Sequence, residues 1–191
     1  MRSSLKNCKL FFSQFLSDRQ VGSVMPSSKG LAMKMVNGVN FADAKTIVEL
    51  GPGTGAITKY IVPLLQPDTK LISIEINEAF IQQLEEDYPQ ENVEFVCDSV
   101  ENIPQILKDR GIEEVDAYIS SLPISLFPKD LISKLTSDMI DTISDDGVYV
   151  QYQYSLHKRK WIEAHWAIQK KAITVLNVPP SIVYTCTKKE S

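Results

Sequence analysis

The glycines between residues 51 and 55 give the clearest ligand-binding signal in the sequence. Gly51, Gly53 and Gly55 follow the apolar run Thr46-Ile-Val-Glu-Leu50 and precede a stretch with helical periodicity. Glycines at such a junction let the backbone turn sharply and let a ligand approach without a Cβ in the way. The spacing also fits a dinucleotide fingerprint, with Ala56 in its last position, so the glycines alone do not identify the ligand.

Three carboxylates near the ends of predicted strands narrow the choice of ligand. Glu49 lies two residues before Gly51, where a nicotinamide-binding loop has no use for a carboxylate but a cationic sulfonium and amino-acid ligand has one. Glu75 lies 24 residues after Gly51 and can accept both hydroxyls of a ribose, and Asp98 can accept from an exocyclic adenine amine. Each acid could instead be solvated at a strand end, which for Asp98 alone is the favoured alternative. Together they predict a ligand with an adenosine, a positive sulfur and no phosphate.

Alternating strands and helices from residue 46 onward must position these side chains. Apolar β-branched runs predict strands, and amphipathic stretches between them predict helices. Single helices between successive strands imply right-handed crossovers and a mainly parallel sheet, so the sequence predicts a doubly wound α/β domain. The predicted strands are 46–50, 70–76, 92–97, 115–119 and 148–154, the last entered through a turn at 145–147, and the predicted helices are 56–65, a helix capped by Asn77, 100–110 and 129–143.

The composition is that of one ordinary globular domain. The chain has 191 residues, 43% apolar and 23% charged, which is enough for one core but not for two. We expect a single domain over 1–191, with an N-terminal helical cap at 1–34 and a catalytic α/β core at 46–191. Three scattered cysteines form neither a disulfide framework nor a zinc pattern, and neither a transmembrane span nor a secretory signal is recognisable. We therefore expect a cytoplasmic protein without a metal.

Charge is unevenly distributed along the chain. Residues 1–34 contain six basic and one acidic residue, a net charge of +5, so the remainder carries −9. An acidic body argues against wrapping a nucleic acid, whereas a basic leading segment fits local contact with an anionic surface. Residues 3–17 have apolar side chains at steps of three and four, which predicts an amphipathic helix for that contact; the alternative is a core helix that covers a sheet edge. A second basic stretch, 157–171, contains two tryptophans, and its two histidines are expected to be solvated.

The glycine loop and the strand-end acids together resemble the class I S-adenosylmethionine-dependent methyltransferases over about residues 46–154. The resemblance implies a Rossmann-like fold and S-adenosylmethionine as the cofactor. It implies that the three glycines cradle the methionine part, that Glu75 holds the ribose and that Asp98 holds the adenine. Ile76 and Ser99, which follow these two acids, are also expected to bind the cofactor. Glu49 would position the loop or the amino-acid moiety.

The segment Ser120-Ser-Leu-Pro-Ile124 stands where methyltransferases of planar amines carry an Asn-Pro-Pro-Tyr type motif. Ser121 replaces the Asn and Ile124 replaces the aromatic residue. A nucleobase would therefore lose a stacking interaction of about 1–3 kcal/mol, while Ser121 and nearby carbonyls such as that of Leu122 could still orient a small amine. The alternative is an ordinary proline-containing turn at a strand end.

Several segments resemble a narrower family, the small soluble bacterial phosphatidylethanolamine N-methyltransferases. They are Phe11-Phe12, Val21-Gly-Ser-Val-Met-Pro-Ser-Ser28, the glycine loop, Ser121-Leu-Pro123, Val150-Gln-Tyr-Gln-Tyr-Ser155 and Asn177-Val-Pro-Pro-Ser181. The resemblance implies that residues 3–17 dock on the membrane, that Pro26, Ser27 and Ser28 lie beside the sulfonium, and that Tyr152 or Tyr154 lies near the lipid head group. The chain departs from the family in the basic stretch 157–171 and at Ser181, where Ala is common.

The expected activity is stepwise methylation of phosphatidylethanolamine toward phosphatidylcholine by a monomer bound peripherally to the cytoplasmic membrane. Methyl transfer to an amine depends mostly on alignment and exclusion of water, so a dedicated general base is not obligatory. Tyr152, Tyr154 and a water are the candidates for one. Two alternatives remain open from the sequence: a relative of the rRNA adenine N6-dimethyltransferases, and a non-catalytic scaffold that binds S-adenosylmethionine.

Overall fold

The computed structural model describes residues 28–154, 159–174 and 180–189. The amphipathic helix predicted at 3–17, together with Pro26 and Ser27, lies outside the described residues. None of the helices in these ranges combines the length and apolar content needed to cross a bilayer.

A seven-stranded sheet forms the centre of the molecule. Its strands, in chain order, are β1 (Thr46–Leu50), β2 (Lys70–Glu75), β3 (Val93–Cys97), β4 (Val115–Ser120), β5 (Ile143–Gln153), β6 (Ala167–Thr174) and β7 (Ser181–Thr187). They lie side by side in the order β3-β2-β1-β4-β5-β7-β6. β1 to β5 are parallel, and β7 runs antiparallel between β5 and β6. The predicted Rossmann-like α/β fold with a mainly parallel sheet is confirmed.

Helices cover both faces of the sheet. They are α1 (Lys29–Val36), α2 (Thr58–Ile61), α3 (Glu78–Asp87), α4 (Ile103–Lys108), α5 (Lys129–Thr142) and α6 (Arg159–His165). Apolar side chains of α1 and α2 join the buried cluster on one face, and those of α4, α5 and α6 join the cluster on the other. Burial of these stripes stabilises the sheet from both sides, at about 25 cal/mol per Å² of apolar surface.

Two predicted helices are shorter than their apolar periodicity suggested. The segment predicted as a helix over 56–65 contains only the four α-helical residues of α2, followed by a 3₁₀ turn at Val62–Leu64. Pro63 lacks the N–H that would continue the α-helical hydrogen bonds, so the helix tightens and ends there. The segment 100–110 likewise begins as a 3₁₀ turn, Val100–Asn102, before α4 starts next to Pro104.

The end of the sheet differs most from the prediction. The turn predicted at 145–147 lies inside β5. The pairing of β5 with β4 shifts its register between Val115 and Ala117, so residues of β5 that have no partner on β4 form a bulge there. The basic stretch 157–171 spans α6 and the first part of β6, and β6 and β7 were not predicted. β7 brings Val183 and Tyr184 into the core, where both are buried.

Candidate active site

A cleft opens at the carboxyl ends of the first strands. It lies where the strand order reverses, because β1 has β2 on one side and β4 on the other. Open α/β sheets bind their ligands at this point. The residues that line the cleft are Gly51, Ile74, Glu75, Ile76, Asp98, Ser99, Val100, Leu122 and Phe127.

The turn after β1 has the backbone geometry for which glycine is needed. Gly51, Gly53 and Gly55 all have positive φ, between 57° and 77°, a conformation that costs other residues about 1–2 kcal/mol. A Cβ on Gly51 would lie 2.8 Å from Cδ2 of Leu122, whereas a Cβ on Gly53 would meet no atom within 4 Å. The turn is therefore packed tightly against Leu122 at one end and open to a ligand at Gly53.

Glu75 is held at the end of β2 by backbone donors from both sides of the cleft. Its Oε2 accepts from the Gly53 N–H at 3.1 Å. Its Oε1 accepts from the N–H groups of Ile76 and Asn77 at 2.8 and 3.0 Å. The carboxylate thereby joins the glycine turn to the end of β2, in a position from which it could accept from ribose hydroxyls.

Asp98 lies at the next strand end, where its carboxylate is fixed by two local donors. Its Oδ1 accepts from the Ser99 N–H at 2.6 Å and from the side-chain amide of Asn102 at 2.8 Å. The Asp98 N–H in turn donates to the Glu75 carbonyl at 3.1 Å. The two acids predicted to hold ribose and adenine thus lie on adjacent walls of one cleft.

Glu49 lies beneath the glycine turn and is not part of the lining. The side chain is fully buried. Its carboxylate accepts from the Thr58 hydroxyl at 2.9 and 3.0 Å and from the Ser73 hydroxyl at 2.7 Å. Burial raises its pKa to about 7, although the two hydroxyl donors oppose this rise. The geometry makes Glu49 a link between β1, β2 and the start of α2, so it supports the loop rather than contacting the contents of the cleft.

The turn after β4 places one unpaired polar atom next to the cleft. The Ser121 N–H donates to the Leu50 carbonyl at 2.9 Å, but its hydroxyl is buried and has no hydrogen-bond partner among the described residues. The Leu122 carbonyl accepts from the Ile124 N–H at 2.9 Å and from the Gln151 amide at 3.1 Å. A carbonyl oxygen has two lone pairs, and these two bonds use both of them. The Leu122 carbonyl could therefore orient a substrate amine, as predicted, only if one of these bonds were lost. Ile124 is buried in the core.

Among the described residues, the predicted Tyr152, Tyr154 and Ser28 lie outside the lining of the cleft. Tyr152 and Tyr154 are at the carboxyl end of β5, with ring centroids 5.4 Å apart in an edge-to-face arrangement. Tyr154 is 38% exposed, and Tyr152 packs against the cluster that contains α1. Ser28 caps α1, its hydroxyl accepting from the Leu31 N–H at 3.2 Å.

The cleft fits a cationic adenosine ligand better than a phosphate-bearing one. Its described lining combines two carboxylates with apolar walls and contains neither Lys nor Arg. The open space at Gly53 gives such a ligand access to the backbone of the turn. No group of three or more His, Cys, Asp or Glu side chains in the described ranges is placed to hold a metal ion.

Three supporting residues were not predicted from the sequence: Thr58, Ser73 and Gln151. Ser73 and Gln151 are polar residues in the middle of apolar strand runs, and that pattern is a usable signal, because a buried polar side chain needs a partner. Which partner each one has depends on neighbours that are distant in sequence. Thr58 carries no comparable signal.

Comparison with known proteins places these features in a family. Residues 47–147 match the family described as "Methyltransferase domain". The chain is 31% identical to the "Ornithine lipid N-methyltransferase" of Singulisphaera acidiphila over an alignment 191 positions long, which covers 95% of this chain and 96% of that protein. It is 26% identical to the "Probable ribosomal RNA small subunit methyltransferase A" of Methanococcus aeolicus over 145 residues, 74% of this chain but only 48% of that protein.

Among solved structures, the 1,6-didemethyltoxoflavin-N1-methyltransferase of Burkholderia thailandensis has a similar fold. The superposition has a TM-score of 0.73 and covers 97% of this chain and 90% of that one, at 13% sequence identity. That enzyme was solved with S-adenosylhomocysteine bound.

Proposed function

The chain belongs to the class I S-adenosylmethionine-dependent methyltransferases, and from this premise we propose that it methylates the amine of a membrane lipid head group. The proposed substrate is phosphatidylethanolamine, methylated stepwise toward phosphatidylcholine. The choice of a lipid amine as the substrate class rests on one observation: the similarity to an ornithine lipid N-methyltransferase extends over nearly the whole of both chains. Both lipids offer an alkyl amine at the membrane surface, so the shared chemistry is N-methylation of that amine.

The cofactor, S-adenosylmethionine, supplies an electrophilic methyl group on a positively charged sulfur. In our proposal Glu75 accepts from its ribose hydroxyls, Asp98 accepts from its adenine amine, and the open backbone at Gly53 receives its methionine part. Glu49 acts indirectly by holding the turn through Thr58 and Ser73. The apolar side chains of the lining exclude water from the adenine.

On the acceptor side, the Ser121 hydroxyl is the group that meets the amine. It is buried and unpaired within the described part of the chain, and a buried hydroxyl without a partner costs about 1–3 kcal/mol. An amine N–H donating to Ser121 recovers that cost and aims the nitrogen lone pair at the methyl group. S-adenosylmethionine bound in the cleft would supply the methyl carbon to this nitrogen and would keep the electron pair of the broken carbon–sulfur bond, while the extra proton on nitrogen would pass to water.

The amine must be neutral to attack, although an alkylammonium ion has a pKa near that of lysine. Desolvation next to a positive sulfur disfavours the ammonium form. No strong base is therefore needed in the site, and positioning provides most of the acceleration.

The same turn argues against a nucleobase as the acceptor. Ile124 is buried in the core and offers no ring on which a base could stack. The match to the ribosomal RNA methyltransferase covers less than half of that protein.

The direct test supplies labelled S-adenosylmethionine to the full chain with three kinds of vesicle. One contains phosphatidylethanolamine in phosphatidylglycerol, one contains an ornithine lipid in phosphatidylglycerol, and one contains phosphatidylglycerol alone. We expect label in the first and none in the third. Label only in the second would change the substrate but keep the class. Label in none of them, or label in ribosomal RNA added to the same reaction, would refute the proposal.

Membrane docking through residues 3–17 is part of the same proposal and has its own test. Replacing Phe12 and Phe15 with Ser reduces the apolar face of the predicted helix, so we expect activity on vesicles to fall while the affinity for S-adenosylmethionine stays the same. A matched control is Leu64→Ser, which alters an apolar side chain that is 40% exposed on the folded domain. An equal loss of vesicle activity in the control would contradict a docking role for residues 3–17.

A further inference from the structure

Two buried side chains that the proposed mechanism does not use meet behind the turn after β4. Gln151 on β5 is fully buried, and its amide nitrogen donates to the Leu122 carbonyl at 3.1 Å and to the Tyr152 carbonyl at 2.5 Å. The Tyr149 hydroxyl donates to the Gln151 amide oxygen at 2.9 Å. Every polar atom of the Gln151 side chain is therefore engaged.

These bonds give Gln151 a single orientation. A flip of the amide would point its oxygen at two carbonyl oxygens, which repel it. Burial raises the pKa of Tyr149 far above its ordinary value, so its hydroxyl keeps the proton that it donates. The Tyr149 hydroxyl and the two carbonyl oxygens therefore favour the same orientation of the Gln151 amide.

Leu122 is fixed from both sides by this network. Its N–H donates to the Ser120 hydroxyl at 3.3 Å. Its carbonyl is fixed by Gln151. Both peptide groups that flank Leu122 are thus hydrogen-bonded, and these bonds help to hold the adjacent Ser121 in place.

The side chain of Leu122 extends the same constraint to the cofactor loop. It packs so closely on Gly51 that a Cβ there would lie 2.8 Å from its Cδ2. Leu122 therefore lies between the glycine turn, on the donor side, and Ser121, on the acceptor side. Its position therefore links the position of the glycine turn to that of Ser121.

We infer that Gln151, oriented by Tyr149, is a positioning residue for methyl transfer: it holds Leu122 so that Ser121 and the cofactor loop keep the spacing that the reaction needs. The inference rests on the proposed function, because Ser121 is taken as the acceptor-side group. A displacement of about 1 Å between reacting groups can reduce a rate by about 100-fold.

The network also gives a role to part of the basic stretch 157–171. The Trp166 ring, buried at the junction of α6 and β6, packs on Tyr149 with centroids 4.8 Å apart. The backbone N–H of Trp166 donates to the Ile162 carbonyl at 2.9 Å, which holds the residue at the end of α6. Trp166 thus supports the Tyr149 ring from behind.

The structure offers a closely matched pair of variants for the test. Tyr149→Phe removes the donor that orients Gln151. Tyr118→Phe removes the hydroxyl of an equally buried tyrosine on β4. Tyr118 pairs in register with Tyr149, and its hydroxyl hydrogen-bonds to that of Thr142 at 2.6 Å. Tyr118 does not contact the turn through these bonds, so it controls for the general effect of removing a buried phenol.

The measurement is kcat and KM for both substrates in the vesicle assay, together with cofactor affinity by calorimetry. We expect Tyr149→Phe to lower kcat about 10-fold with KM and Kd for S-adenosylmethionine changed less than about 3-fold, and Gln151→Met to lower kcat further. Tyr118→Phe should leave kcat within about 2-fold. Equal kcat values for the two phenylalanine variants would overturn the inference, as would a loss of cofactor affinity that matches the loss of kcat.

A second readout separates this inference from the proposed function. With Leu122 labelled by ¹³C at its carbonyl, the chemical shift reports the bond from Gln151, and we expect it to move in Gln151→Met and in Tyr149→Phe but not in Tyr118→Phe. An unchanged shift in Gln151→Met would overturn the inference even if lipid is methylated. Absence of methylation by the unaltered chain would refute the proposed function, and the shift would still show whether Gln151 holds Leu122.

Discussion

Replacing Glu49 with Gln should change how the stability of the protein depends on pH. The burial of Glu49 raises its pKa from an ordinary value of 4.5 to about 7. Each pKa unit corresponds to about 1.4 kcal/mol, so the change amounts to about 3 kcal/mol of folding free energy. The side chain is fully buried, so solvent does not screen this effect.

The direction follows from where the proton is held. Below pH 4.5 the carboxyl group is protonated in both the folded and the unfolded chain, and burial carries no ionic cost. As the pH rises toward 7, the unfolded chain loses the proton while the folded chain keeps it, so the folded state loses stability. Above about pH 7 both forms are ionised and the loss is complete. Gln cannot ionise, so the variant lacks this loss.

Urea unfolding of the two proteins between pH 4.5 and pH 8.5 provides the measurement. We expect the free energy of unfolding of Glu49→Gln, relative to the unaltered chain, to rise by about 3 kcal/mol across this range. Glu86→Gln, at an exposed position on α3, serves as the control and should show no such rise. Parallel pH profiles for Glu49→Gln and the unaltered chain would refute the reasoning, because they would mean that Glu49 titrates normally in the folded state.

Two further substitutions test the proposed cofactor site. Glu75→Gln should reduce the affinity for S-adenosylmethionine at least 10-fold in calorimetry, because the carboxylate is proposed to receive the ribose, whereas Glu78→Gln in the first turn of α3 should leave it unchanged; equal affinities would remove Glu75 from the site. Gly53→Ala should lower stability by only about 1–2 kcal/mol from its positive φ, yet weaken cofactor binding strongly, because the new methyl group enters the open space at the turn. Gly51→Ala should cost more stability, since its Cβ would meet Leu122 at 2.8 Å; thermal unfolding that ranks the two glycine variants in the opposite order would contradict this geometry.

The sequence predicted well the half of the sheet that borders the cleft, for physical reasons. β1 to β4 are short parallel strands of a sheet covered on both faces, so in the sequence they are apolar runs bounded by residues that favour turns. The glycines of the turn are needed because three successive alternate positions have positive φ. The residues predicted at the ends of β2 and β3 line one cleft, since parallel strands end at the same rim.

The other half of the sheet was not predicted, because its strands carry a different pattern. β6 is an edge strand with Lys170 and Lys171 in its middle, which resembles an exposed basic segment in sequence but is typical of a protected sheet edge. A turn was predicted at 145–147, but β5 pairs with β4 both before and after Asp146. The residues between the two paired parts therefore form a bulge. Such pairings depend on residues distant in sequence.

The supporting contacts of the site are also beyond the reach of the sequence. Glu49 was predicted to position the loop or the amino-acid moiety, and the partners that hold it, Ser73 and Thr58, come from two other elements. The bond from Gln151 to Leu122 joins residues 29 positions apart. Only the packed fold shows which buried polar groups meet.

The position of β7 has a consequence for how the protein is made. Among the described strands β7 comes last in sequence, yet it lies inside the sheet and pairs with β5 on one side and β6 on the other. While the chain emerges from the ribosome, β5 therefore presents an open edge, and β6 has no neighbour until residues 181–187 are free to insert between them. A nonsense mutation at Ser181, which removes this segment and all that follows it, would leave β5 with an open edge and β6 without a partner, and such unpaired strands are prone to aggregate.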